Sequence, residues 1–164
     1  MQIIDKQTYL WSYLSDEQKG LILDGEQLLS DSKHLSSISD YSFLVFPFAK
    51  AFEGFLKKLF LELGLIGEDE YYGDDIRIGK LLSPYFMKKH EGSLYKKLCL
   101  GKYAGKELTE DLWKAWKKGR NLVFHYFPHN FRKLTFDEAL EIINDFGRIM
   151  ARSVEKCAIT LVKK

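Results

Sequence analysis

The sequence predicts an all-α protein, a helical bundle of about five to six helices. Three observations predict it. Only 3 residues are Pro, which favours long helices over many turns. No strand-like alternation of apolar and polar residues competes anywhere in the chain. Two capping boxes, Ser15-Asp16-Glu17-Gln18 and Thr135-Phe136-Asp137-Glu138, each stand in front of a stretch with helical apolar spacing. The 164 residues suit one domain, 46% of them hydrophobic and 15% aromatic, enough for a sizeable core. Residues 1–39 read as a helical extension and loop, and 40–164 as the core bundle.

Taken in order, 5–14 predicts a short helix with Tyr9, Leu10, Tyr13 and Leu14 on one face. The second helix starts at the Ser15 box, with Leu21, Leu28 and Leu29 as its buried stripe. Gly20 and Gly25 weaken it by about 1 kcal/mol each relative to Ala. Residues 30–39, rich in Ser and Asp, read as a loop. Asp40 then caps a helix running to about Leu63, apolar on more than one face and therefore central. Pro47 implies that this helix kinks or begins there, and Gly64 is its expected C-terminal glycine. Residues 67–75 predict a solvated acidic loop, because their carboxylates do not follow a calcium-loop spacing. A modest helix over 76–85 turns Ile78, Leu81 and Leu82 inward and is interrupted at Ser83-Pro84. A further helical piece over 85–100 carries Lys88, Lys89, Lys96 and Lys97 on a basic face.

The penultimate long helix is expected to start at Thr109 as N-cap, with Glu110 and Asp111 complementing its dipole. Leu112, Trp116, Gly119, Val123 and Tyr126 make one apolar stripe, so the helix is predicted to continue until Pro128 ends it. Gly119 on that stripe allows another helix to approach closely. Lys114, Lys117, Lys118 and Arg120 form a local basic patch on its exposed side. The last helix follows the second capping box to about Leu161, burying Leu140, Ile143, Phe146, Ile149, Met150, Val154, Cys157, Ala158 and Leu161.

Charge and cysteine content narrow the function classes. A net charge of +2 does not mark a general nucleic-acid binder, so any basic site is local. Cys99 and Cys157 lack metal spacing and read as buried free thiols in a reducing compartment. The most apolar region, 43–66, carries Lys50, Glu53, Lys57, Lys58 and Glu62, which argues against a membrane span. No signal peptide is visible at the N-terminus, and a cytoplasmic protein is expected.

The chemistry concentrates in Gly119-Arg120-Asn121-Leu122-Val123-Phe124-His125. Arginine holds a phosphate by paired hydrogen bonds and keeps its charge. Histidine moves a proton near neutral pH. On a continuous helix Asn121 and His125 share a face, and Arg120 lies about 140° round and roughly 7.5 Å along from His125. A long guanidinium spans that offset.

With the motif so placed, the chain resembles the HEPN superfamily, and is most similar there to the HEPN domain of RNase LS-type toxins. Arg120 to His125 reads as the RxxxxH signature, and Asn121 matches the polar residue common after the arginine. The stretch 48–59 looks like the family's early central helix, with Glu53 as its acidic residue. The likeness spans roughly 40–160. It implies a metal-independent endoribonuclease with no cofactor, cleaving RNA in a cleft composed across a homodimer. It also implies a toxin held by an antitoxin or regulatory protein, or an antiphage effector. The resemblance assigns Arg120, His125, Asn121 and Glu53 to catalysis, and the local patch assigns Lys114, Lys117 and Lys118 to RNA binding. One departure is Phe127, where members controlled by a nucleotidyltransferase carry tyrosine. A silent HEPN module binding RNA or nucleotide, and a helical protein-interaction domain, remain alternative readings.

Overall fold

The computed structural model describes residues 1–35, 37–87, Leu98, 105–126, Pro128 and 132–161, with the backbone alone for 86, 87 and 158–161. Among the described residues the chain is all-helical, with no strand. Its helices are α1 (Tyr9–Tyr13), α2 (Asp16–Ser32), α3 (Ser42–Glu62), α4 (Glu68–Tyr72), α5 (Ile78–Leu82), α6 (Pro84–Met87), α7 (Gly105–Trp116) and α8 (Phe136–Leu161). A single π-helical turn, Lys117–Asn121, extends α7. No helix among the described residues is long and apolar enough to cross a membrane. The expected pieces over 88–97 and 99–100, with Cys99, lie outside the described residues.

Helix α3 is the axis of the bundle. It buries Leu44, Val45, Phe48, Phe52, Phe55, Leu56, Leu59 and Phe60, which span more than one face. Helices α2 and α8 pack along it, and α4, α5 and the π turn touch it at the side where the motif lies. The helix neither begins at Pro47 nor is capped by Asp40 at its N-cap position, which is Tyr41. Asp40 acts from one residue further out. Its Oδ1 accepts from Ser42 N at 3.0 Å, Ser42 Oγ at 2.6 Å and Leu134 N at 3.0 Å, tying the start of α3 to the segment before α8. Pro47 is tolerated because the carbonyl it leaves without a donor belongs to Phe43, an exposed residue of the first turn. The C-terminus closes as a Schellman turn. Gly64, at φ +65°, donates to Leu61 O and Leu65 donates to Phe60 O.

Both capping boxes form. Ser15 and Gln18 exchange bonds at 3.1 and 3.3 Å, and Thr135 and Glu138 at 2.8 and 3.2 Å. Of the leucine stripe expected for α2, Leu29 is fully buried and Leu21 half-buried, but the buried face is set mainly by other residues. It runs through Ile22, Gly25, Glu26, Leu29 and Ser32, and Leu28 faces outward. Gly25 is a notch for Phe48, whose ring would stand 2.4 Å from an added Cβ. Glu26 is buried because it accepts from Ile3 N at 2.7 Å and Ile4 N at 3.3 Å. The expected loop over 30–39 starts later, since α2 reaches Ser32.

Two further expectations are corrected. The acidic segment contains a helix, α4, because Glu70 accepts from Gly67 N at 3.0 Å and Glu68, Asp69 and Glu70 all sit in the first turn, where the dipole favours negative charge. The penultimate helix starts at Gly105, itself at φ +71°, and not at Thr109. Thr109 is fully buried in its interior, donating to Gly105 O at 2.7 Å. Glu110 and Asp111 therefore fall in the second turn. Asp111 bonds Arg152 of α8 at 2.5 Å instead of serving the dipole.

Candidate active site

The motif does not lie on a continuous α-helix. The α geometry ends at Trp116, and the next turn closes by Leu122 N–H donating to Lys117 O at 2.9 Å, five residues back. Regular helix stops at Asn121, so Phe124, His125 and Tyr126 follow in irregular chain and Pro128 ends nothing. The expected stripe fails at its far end, where Tyr126 is 71% exposed. The cause lies at Gly119. An added Cβ there would meet Phe146 Cζ at 2.3 Å and Ile142 Cγ2 at 2.8 Å. The backbone presses this tightly on α8, and the wide turn is how it does so. π turns are rare and concentrate at functional sites.

This turn carries Arg120 and Asn121 into an open cleft of about 480 Å³. His125 reaches the same cleft from the chain beyond the turn, and Glu53 reaches it from α3. All four residues expected in catalysis thus line one cavity, although the helical-face geometry that paired Asn121 with His125 does not apply. Glu53 Oε2 accepts from Arg120 Nε at 3.4 Å. It forms no ion pair with Lys50 or Lys57, its neighbours on α3, among the described residues. Arg120 is 38% exposed and Glu53 31%, so the pair meets solvent. Only Nε is engaged. Both Nη groups lack a protein partner among the described residues, and the Phe124 ring lies 5.3 Å from Cζ. The carboxylate thus holds the guanidinium from one edge and leaves its two-donor fork open for an oxyanion.

The expected lysines stand elsewhere. Lys114 and Lys118 border a groove on the α8 side with Asp111, Asp145 and Arg148. Lys118 Nζ bonds Glu141 at 2.6 Å and lies 3.9 Å from Asp145, and Lys114 lies 3.9 Å from Asp111. Lys117 is exposed. None of the three lines the cleft. Trp113, Trp116 and Arg120 line the cleft, whereas Lys114 and Lys118 border the groove toward α8 and Lys117 faces solvent. The basic patch read from the sequence is divided by that geometry.

The cations that do accompany Arg120 in the cleft are Arg77, at the N-cap of α5, and Lys80 within it, with Tyr85 at the rim. Neither belongs to a motif in the sequence, and they come together because Arg77 stands at the N-cap of α5 and Lys80 in its first turn. Trp116 is buried against Gly79, whose added Cβ would lie 2.2 Å from the indole Nε1. Trp113 is half-buried in the cleft wall.

Comparison with protein-family models, with curated proteins and with solved structures finds no match to this chain.

Proposed function

We propose that the protein is a metal-independent endoribonuclease of HEPN type, acting through Arg120 and His125. The observation that carries the reading is the convergence of Glu53, Arg120, Asn121 and His125 on one solvent-accessible cleft from separate parts of the chain. RNA supplies its own nucleophile. The 2′-oxygen forms a bond to the adjacent phosphorus as the P–O5′ bond breaks. The 2′-hydroxyl loses its proton to a base, and the departing 5′-oxygen takes one from an acid. A 2′,3′-cyclic phosphate and a 5′-hydroxyl result. The Nη fork of Arg120 stabilises the charge that develops on the phosphorane oxygens. Asn121 holds a phosphate oxygen or the substrate ring, and His125 moves a proton.

The cleft offers a single histidine among its described lining residues, and one imidazole cannot be base and acid at the same instant. A homodimer that brings two Arg120–His125 pairs together supplies both roles, and the half-exposed Phe46, packed edge-on to Phe124 at 5.7 Å, offers apolar surface beside the site. A toxin or antiphage role under the control of an antitoxin or regulatory protein belongs to the same reading.

The test is RNA cleavage in EDTA, with thermal melting on the same preparations. His125→Ala is expected to lower the rate by a factor on the order of 10² to 10⁴ while melting like wild type, because the residue is exposed. A folded His125→Ala protein that cuts at the wild-type rate would remove the reading.

A further inference from the structure

We infer that Arg77 and Lys80 form a second phosphate subsite on the α5 wall of the cleft, so that the substrate is a single-stranded RNA segment held at two or more phosphates. This rests on the ribonuclease reading of the same cleft. Helix α5 is pinned by fully buried Ile78 and Leu82 and by the seat of Trp116 against Gly79. That anchoring fixes the positions from which Arg77 and Lys80 reach the cavity.

Charge points to phosphate. The described lining of the cleft holds three cations, Arg77, Lys80 and Arg120, against one carboxylate, Glu53, and that carboxylate is engaged with Arg120. The side chain of Arg77 is exposed and in no ion pair among the described residues. One scissile phosphate is served by the Arg120 fork, which leaves Arg77 to meet a neighbouring one, with Lys80 beside it on the same wall. Arg77 and Lys80 also border a second hollow, of about 420 Å³, together with Asp69, Glu70 and Asp75. Those carboxylates repel phosphate from that side and direct the strand into the Arg120 cleft.

The shape points to a single strand. The cavity is of small-molecule size, so an unpaired nucleotide enters it while a duplex can only lie across its mouth. Tyr85, 72% exposed, and Trp113 present ring surface to it. Unstacked bases settle on such rings, each worth about 1–3 kcal/mol by substitution.

The experiment measures binding apart from cleavage. A fluorescent 2′-O-methyl RNA oligonucleotide, which lacks the attacking hydroxyl, is titrated with protein in EDTA across a salt series and followed by anisotropy. The Arg77→Ala/Lys80→Ala protein is expected to bind about tenfold or more weakly. Its slope of log affinity against log salt should be shallower by about 1.4, roughly 0.7 for each single-strand phosphate that the variant no longer neutralises. Tyr85→Ala should weaken binding with the slope unchanged. If the alanine pair melts early, Arg77→Gln/Lys80→Gln keeps side-chain bulk and must show the same slope change. A wild-type slope in the variants, or duplex RNA bound as tightly as the single strand, overturns the subsite. Wild-type protein that binds with the expected slope yet fails to cut unblocked RNA sinks the ribonuclease reading and leaves the subsite standing. Cleavage that persists with no slope change does the reverse.

Discussion

Replacing Gly119 by Ala sets two effects against each other at the point where the fold presents Arg120. Alanine favours helical backbone over glycine by about 1 kcal/mol. Its Cβ, however, would stand 2.3 Å from Phe146 Cζ, 2.8 Å from Ile142 Cγ2 and 3.0 Å from Phe146 Cε1. The Phe146 ring is fully buried and packed against Phe52 at 4.7 Å, so it cannot swing clear. Overpacking a buried site costs about 1–3 kcal/mol, and contacts under 3 Å against a fixed ring put this one in the upper part of that range, about 2–3 kcal/mol, above the backbone gain. Net destabilisation of about 1–2 kcal/mol corresponds to a Tm lowered by roughly 2–8 °C for a chain of this length. Gly20 is the control. Nothing lies within 4 Å of its added Cβ, on helix α2, so Gly20→Ala should raise the Tm by roughly 2–4 °C. Calorimetric melts of both proteins and of Gly119→Ala/Phe146→Leu, which removes part of the obstructing ring, check the mechanism. The double variant should recover part of the loss. A Gly119→Ala protein that melts at or above wild type would refute the account of the π turn.

Arg120→Lys should cleave RNA almost as poorly as Arg120→Ala, because an ammonium keeps the charge and loses the planar fork; initial rates in EDTA near wild type for the lysine variant would contradict the assigned role. Burial pushes the Asp40 carboxyl up, but hydrogen bonds from Leu134 N–H and from the Ser42 hydroxyl and N–H, helped by the Lys133 charge, outweigh it and hold the group below the usual carboxylate range. Its stabilisation is therefore present above the unfolded pKa, about 3.9, and is lost as pH falls through the lower folded value. Asp40→Ala should cost about 1–2 kcal/mol at neutral pH, and its melting curve should converge on wild type in acid; a gap independent of pH would show that the carboxylate charge is irrelevant. Burial pushes the Cys157 thiol up to about 11, against a small opposing effect of Lys156. Alkylation at that residue, followed by peptide mass spectrometry at mildly alkaline pH, should therefore appear only as the protein unfolds; labelling of the folded protein at the rate of a free thiol would place the residue elsewhere.

Most of the fold was legible because its signals are local. A capping box is four residues long and reciprocal, and both of those in the sequence form. The central helix announces itself by apolar residues all round, and Gly64 by standing just past their end. What misled was chemistry with two uses. Threonine before acidic residues is an N-cap signature, yet Thr109 satisfies its hydroxyl on the carbonyl four residues back and so sits inside the helix. The leucines of α2 suggested one stripe, but a glycine notch, a glutamate capturing two N–H groups and a serine made another. Acidic residues in a row without a calcium-loop spacing read as a solvated loop, but a helix N-terminus gives three of them a favourable field.

The site shows the same division. Its residue types and order are visible in the chain, but its geometry depends on contacts that no periodicity records. A helix drawn through Arg120 and His125 gives one answer, and a π turn set by Gly119 on Phe146 gives another. The convergence survives because the cleft is assembled from three directions, α3, α5 and the turn after α7. The Glu53–Arg120 contact is partly exposed and made through Nε alone. Exposed pairs of that kind contribute about 0–1 kcal/mol to stability. Its place in the structure is better explained by orientation. Glu53 also borders a smaller hollow of about 190 Å³ with Arg120 and Phe124, so the pair stands as a partition between two cavities. Held at that wall through Nε and flanked by the Phe124 ring, the guanidinium keeps a fixed plane while its Nη donors stay unengaged among the described residues, the arrangement a planar two-donor fork needs to meet an oxyanion.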